Sequence, residues 1–357
     1  MLFVECMGTP YQIGHHHGTS ASLQIHRTIE FYACLFLKNC KKRWPEVLEH
    51  AAVFEQTARE KWPRYHEEMR GVADGAGVGL LDIVAVNVRT EINFGLGLDG
   101  EGDGKEGGTT DGCTAMGWTT SERMWLGQNW DWMPDQQQNL VITKITQEDK
   151  PTILQVTEAG IIGKIGFNSA GVGTLFNAIK VIGVDPTRMP AHFGLRMALE
   201  SSSVEDAVRQ LEEFGMASSA HILLGDRTTC LGLEFTKSTF AHVRPDKRGR
   251  VIYTNHLLGE HPGETETDTV WLKDSLTRME TMGENVGKLD AKEEPSWEEI
   301  SVLFEDEQNT PFSINRIATE ESESETLFSI VMDLKSKKAV LRMGRPTEVE
   351  ESINLEL

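Results

Sequence analysis

One cysteine stands where a thiol has an uncommon chemical option. In Asp111-Gly112-Cys113-Thr114 it closes a glycine- and acid-rich stretch and opens an apolar, strand-like one. There the thiol is able to attack the carbonyl of Gly112: the C–S bond forms, the peptide C–N bond breaks, and water opens the thioester. Cys113 then starts a new chain, and its α-amino group, with a pKa of about 7.7–8.0 when unperturbed, serves as base for its own thiol. One residue thus supplies nucleophile and base. A glycine before it crowds the attacking sulfur least and tolerates unusual backbone angles. The same residues have a structural reading, because cysteine is often a small buried hydrophobe and suits a strand start. Spacing alone leaves both standing.

Other chemistry-bearing residues carry weaker signals. His15-His16-His17 lacks ligand spacing, because consecutive side chains diverge on a helix and alternate faces on a strand. No metal site is expected, and no cofactor. His256 offers a Cys–His pair of the papain-like kind, but the local pattern around Cys113 is not the papain one. Gly75, Gly77 and Gly79 do not form the dinucleotide fingerprint and do not follow a strand.

The elements that must hold Cys113 are legible in the periodicity. Helical spacing marks a helix through Leu23, Ile29, Tyr32, Leu35 and Phe36, capped by Thr19 or Ser20, then Pro45 to Arg70 and Leu81 to Phe94. Gly95–Gly112 holds eight glycines, five acids and one lysine, a composition that buries nothing and predicts a mobile connector. Strands follow: Cys113–Thr119, Trp125–Asp131, Leu140–Gln147, Ile153–Glu158, Ile161–Phe167 and Gly171–Ala178. Helices around His192–Glu200 and Val204–Phe214 interrupt them. Strands resume at His221–Leu224, Leu231–Thr236, Phe240–Val243 and Val251–Thr254. A helix near Trp297–Asp306 precedes a hairpin, Thr326–Leu334 and Lys338–Met343. Strands, helices and strands again predict an α+β chain of two packed sheets with helices outside.

Composition narrows the function classes. The 357 residues carry 35 basic and 55 acidic side chains, a formal charge of −20, which argues against nucleic acid and against anionic lipid as partners. Nineteen acids and five bases fall between Gly259 and Glu325, read as a solvated acidic face. Apolar runs are too short for a membrane span. The first residues lack the basic start of a signal peptide. Five cysteines without a C-x-x-C pair argue for reduced thiols in an intracellular compartment.

Taken in order along the chain, a set of motifs resembles the isopenicillin N acyltransferase family of the N-terminal-nucleophile hydrolase superfamily. They are Gly8-Thr9-Pro10, Asp111-Gly112-Cys113-Thr114, Gly127-Gln128-Asn129-Trp130-Asp131 and Glu158-Ala159-Gly160-Ile161-Ile162-Gly163-Lys164. Gly166-Phe167-Asn168-Ser169-Ala170-Gly171, Thr254-Asn255-His256, Pro311-Phe312-Ser313-Ile314-Asn315-Arg316 and Gly344-Arg345-Pro346 complete the set. The resemblance spans nearly the whole chain. It implies a four-layer αββα sandwich, made as a precursor and cut between Gly112 and Cys113. The helical segment 1–112, ending in the loop 95–112, would be the α subunit and 113–357 the strand-rich catalytic β subunit of one folded domain.

The same resemblance implies roles. Cys113 would be the nucleophile, Asp131 and Arg316 the charged pair beside it, and Asn255 a donor to the oxyanion of the tetrahedral intermediate. Partners would be small molecules, an acyl donor and an acceptor drawn from acyl-coenzyme A, β-lactams and amides. Departures from the penicillin-forming members stand at Ala115, where they carry a hydroxyl residue, at Trp132-Met133, where they carry aromatics, and at Asn315, where they carry cysteine. Leu355-Glu356-Leu357 replaces a peroxisomal Ser-Lys-Leu-like ending, so a cytoplasmic protein is expected. The alternatives are a general amidase of the choloylglycine-hydrolase or ceramidase type, and a weakly active or unprocessed relative that only binds acyl compounds. Residues 1–112 sum to −5 and 113–357 to −15, so a shared core, not net attraction, must hold two such pieces together.

Overall fold

The first strand has no counterpart in the expected helical N-terminal segment: β1 (Leu2–Met7) pairs in parallel with β4 (Leu140–Thr146). Its alternating burial fits a sheet edge with one wet face. The computed structural model describes residues 1–95, 112–264 and 269–357; apart from its ends, the expected connector Gly95–Gly112 lies outside them. Six helices follow β1: α1 (Pro10–Ser20), α2 (Ser22–Cys40), α3 (Trp44–Lys61), α4 (Pro63–Ala76), α5 (Leu80–Asn87) and α6 (Arg89–Gly95).

Thr9 caps α1 by accepting from the Gln12 amide, with Pro10 in the first turn. The helix expected to start from a Thr19 or Ser20 cap is α2, whose N-cap is instead Ala21, without a side-chain bond. The stretch from Pro45 to Arg70 is two helices, broken where Pro63 removes a donor and opens α4. Gly14 and Gly18 face Gly71 and Gly75 across the α1–α4 crossing. A Cβ on Gly14 would sit 1.9 Å from the Glu68 carbonyl oxygen, so the spacing of four serves backbone approach. In the histidine run His15 and His16 are exposed. His17 is buried, accepts from the Gly160 amide at 3.2 Å, and is pushed down to about 4 by that burial.

The remaining chain supplies β2 (Thr114–Thr119), β3 (Met124–Trp132), β5 (Ile153–Glu158), β6 (Ile165–Asn168) and β7 (Gly173–Ala178). Then come α7 (Ala191–Leu199), α8 (Val204–Phe214), β8 (Ala220–Gly225), β9 (Cys230–Phe235), β10 (Phe240–Val243) and β11 (Arg250–Tyr253). α9 (Thr269–Gly287), α10 (Trp297–Val302), β12 (Glu325–Asp333), β13 (Lys338–Met343) and β14 (Glu351–Glu356) close the fold. α9 and β14 were not expected. The first lies in the acidic run, where its apolar stripe is diluted; the second alternates weakly at a sheet edge.

An eight-stranded sheet, β1-β4-β5-β6-β7-β8-β9-β10, packs on a six-stranded one, β11-β2-β3-β12-β13-β14. Gln128 on β3 clips the two together, donating to the Phe176 carbonyl at 2.8 Å and accepting from the Phe176 amide at 3.2 Å. On the far side of the smaller sheet, Met282 and Val286 of α9, Ile300 of α10 and Phe304 just past it cover Met116, Trp118 and Trp125. The result is the α+β, αββα layering. Among the described residues no helix is long and apolar enough to cross a membrane.

Residues before and after position 112 share one core and two buried charge clusters. Glu158 on β5 meets Arg89 of α6 at 3.2 Å, Lys164, and the Tyr32 hydroxyl of α2. Burial would raise this carboxyl, but the two cations and their hydrogen bonds hold it down at about 2. Arg196 on α7 binds Glu68 of α4 at 2.7 Å and Glu200 at 3.0 Å. Buried ions are tolerated only when so paired.

Candidate active site

Sheet register brings distant residues to the start of β2. Thr114 pairs with Asn129 on β3, and Ala115 pairs with Tyr253 on β11. Running each ladder two residues past these pairs sets Gly112 beside Asp131 and Cys113 beside Asn255. On the other edge of β3, Asp131 pairs with Thr326 of β12. The four residues singled out from the sequence therefore converge on one strand end, although they lie up to about 200 positions apart.

A chain of alternating charges runs through this end. The Thr326 hydroxyl donates to Asp131 Oδ1 at 2.6 Å and accepts from the Arg316 amide at 3.0 Å. Arg316 Nε lies 3.4 Å from Asp131 Oδ2. The same guanidinium donates to Asp274 on α9 and, at 3.2 Å, to the Ser322 hydroxyl. Asp274 in turn accepts from Arg278 Nε, one helical turn on, at 3.3 Å. Arg278 reaches the Cys113 carbonyl at 2.8 Å and Asn255 Oδ1 at 3.0 Å. Two guanidiniums alternate with two carboxylates, so the buried network is neutral as a whole, the condition for burying ions without a large desolvation cost.

Cys113 is 1 % exposed. Its carbonyl also accepts from Asn177 Nδ2 at 3.2 Å, across the interface between the sheets. Asn177 is turned that way by His221, whose Nδ1–H donates to Asn177 Oδ1 at 3.3 Å. Burial pulls His221 well below its usual value, which keeps the ring neutral, and it stacks on Tyr253 with centroids 3.4 Å apart. Gly112 lies directly on Arg316: a Cβ there would come within 2.4 Å of Nη2. Asn255 donates through Nδ2 to the Ala178 carbonyl at 3.0 Å. The neighbouring His256 turns Nδ1 to the Ser275 hydroxyl at 2.8 Å, and burial, with Arg278 nearby, lowers its pKa. Trp132 packs under the Arg89 guanidinium, 5.3 Å from ring to cation, and Met133 is half-buried beside it.

Asp274, Arg278, Asn177 and Thr326 did not stand out in the sequence. Asp274 and Arg278 carry an i,i+4 signature inside the acidic stretch, which reads as a solvated pair. Asn177 is a polar residue at the end of an apolar strand. Among the described residues no group of three His, Cys, Asp or Glu could hold a metal ion.

Two stacked sheets flanked by helices make the fold of the N-terminal-nucleophile hydrolases. A variant of the conjugated bile acid hydrolase from Clostridium perfringens shares this fold with a TM-score of 0.50 at 13% identity, covering 68% of this chain and 92% of its own. Penicillin V acylase from Agrobacterium tumefaciens aligns with a TM-score of 0.48 at 14% identity, over 69% and 86%. The family model for acyl-coenzyme A:6-aminopenicillanic acid acyl-transferase matches residues 118–348. The chain is also 39% identical, over 354 residues, to the 40 kDa form of acyl-coenzyme A:6-aminopenicillanic-acid-acyltransferase of Emericella nidulans, spanning 99% of this chain and 95% of that one. The chain belongs to this acyl-transferase family and is an enzyme of the acyltransferase class.

Proposed function

We propose that the chain cuts itself between Gly112 and Cys113 and that mature Cys113 carries the acyl group as a thioester. The observation that carries this reading is the placement of Cys113. It heads a central strand, its carbonyl is held by two side chains, and its preceding glycine is pressed on a guanidinium. In the first step Sγ adds to the Gly112 carbonyl, the C–N bond breaks, the proton leaves with the new amine, and water hydrolyses the thioester. Residues 1–112 and 113–357 then remain together through the shared core.

In turnover the α-amine takes the thiol proton and the thiolate adds to the acyl carbonyl. The leaving thiol or amine departs with that proton, and an amine or water releases the acyl group from sulfur. Arg316 and Asp131 set the charge around the nucleophile: the cation favours the thiolate and the carboxylate orients the new ammonium. Asn255 donates to the oxyanion, a contribution typically worth about 10²–10³ in rate. The donor is proposed to be an acyl-coenzyme A and the acceptor 6-aminopenicillanic acid or a related amine, with isopenicillin N-like amides as further donors. Trp132 and Met133 form part of the acyl wall, and a flexible thioether there favours a different acyl chain from a phenyl ring.

Product analysis tests the reading: with phenylacetyl-coenzyme A, adding 6-aminopenicillanic acid should divert product from phenylacetate to the amide. Phenylacetate alone, at any acceptor concentration, would mean an amidase-like hydrolase instead.

Gly112 gives a second expectation. Its missing side chain makes room for a guanidinium fixed by Asp131, Asp274 and Ser322, which therefore cannot swing aside. Gly112→Ala should slow the loss of precursor, followed by intact mass, by about tenfold or more, the overpacking cost appearing as strain at the scissile bond. Once cut, the variant should turn over at the wild-type rate, because residue 112 is then only a chain end.

A further inference from the structure

Arg278 belongs to α9, a helix outside both sheets, yet it is 1 % exposed and reaches the nucleophile's backbone. All five of its N–H groups have acceptors. Nε and one Nη2 hydrogen go to Asp274 at 3.3 and 3.4 Å, and the other Nη2 hydrogen goes to Asn255 Oδ1 at 3.0 Å. The two on Nη1 go to the Cys113 carbonyl at 2.8 Å and the Thr114 hydroxyl at 3.0 Å. A planar guanidinium offers five donors in a fixed fork, whereas an ammonium offers three without that geometry. Burying such an ion merely to fill space is poor economy, since apolar residues of similar volume often do as well or better.

Resting on the self-processing reading above, we infer that Arg278 is the positioning residue of the mature nucleophile: it clamps the Cys113 carbonyl and turns Asn255 so that Nδ2 is the donor end. In the precursor, residue 113 is also tied by its bond to Gly112. Cleavage removes that tie and makes residue 113 a chain end, and chain ends fray unless something holds them. The clamp therefore matters more for turnover than for cleavage. A residue that only stabilised the fold would affect both alike.

Arg278→Gln and Arg278→Lys, each made as the full chain, test this against wild type. Intact mass reads cleavage, and steady-state kinetics use phenylacetyl-coenzyme A with 6-aminopenicillanic acid, or penicillin V, whichever wild type converts. Both variants should yield the two fragments. Arg278→Gln should lose about 10²–10³ in kcat with KM within about threefold, as for a misdirected oxyanion donor, and Arg278→Lys should recover only a minor part. Should the glutamine variant fail to fold, the lysine variant, which keeps charge and stem, carries the same prediction. A processed variant with wild-type kcat, or a loss confined to KM, overturns the role of Arg278. Wild type that stays uncut sinks the nucleophile reading itself.

Discussion

Cys113→Ala is expected to leave a single chain of 39.9 kDa where wild type gives two fragments, and to abolish acyl transfer. The substitution removes one sulfur from a site that is already closed, with Trp130 and Ala115 in the same core. Alanine retains the backbone, so the grips of Arg278 and Asn177 on the residue-113 carbonyl persist. The lost packing costs about 1 kcal/mol, within what a core of this size tolerates. A thermal melt close to wild type, beside an uncut chain, would assign the defect to chemistry and not to folding. Loss of a nucleophile from a concerted site costs on the order of 10⁶ in kcat in a well-studied protease. Any turnover by the alanine variant beyond a trace would point to another nucleophile.

Arg316→Met is expected to be the most damaging change to stability at the site. The guanidinium is fully buried between two carboxylates, Asp131 and Asp274. Methionine fills much of the volume but takes the cation from between two acids. Removing one partner from a buried ion pair costs about 3–5 kcal/mol, because the remaining charge stays desolvated. For a chain of this size the melting temperature should fall by about 4–7 °C. Asp131→Asn in the same chain should restore part of that loss, since the amide needs no counter-charge. The double-mutant cycle then isolates the coupling, expected to exceed 1 kcal/mol. Simple additivity would mean that Arg316 and Asp131 do not depend on one another. Precursor cleavage should fail in Arg316→Met regardless of the partial rescue, because the surface against which Gly112 rests is gone.

Much of the site was legible before any coordinates. The strand-like runs Trp125–Asp131 and Val251–Thr254 predict strands ending at Asp131 and just before Asn255, and a one-residue register error would have separated them from Cys113. What could not be read was the third dimension of the helices. α9 lies in the densest acidic stretch, so its apolar stripe is blurred and Arg278 looks like a solvated partner of Asp274. Only packing against β11 turns that pair inward. β1 escaped because a six-residue edge strand pairing in parallel, with charged Glu5 pointing outward, resembles a loop. The glycines of the α1–α4 crossing carry no helical propensity signal at all. Their meaning appears only when two backbones meet.

The central claim is that Cys113, exposed as a chain start, carries the acyl group. Its most direct test is the intact mass of wild type, denatured in acid within milliseconds of mixing with phenylacetyl-coenzyme A. Two species are predicted. One is an unmodified fragment of about 12.5 kDa, by residue count. The other, of about 27.4 kDa, begins at Cys113, is heavier by one phenylacetyl group, and loses it to hydroxylamine. A single uncut chain, or an acyl group found on any residue other than Cys113, would contradict the account.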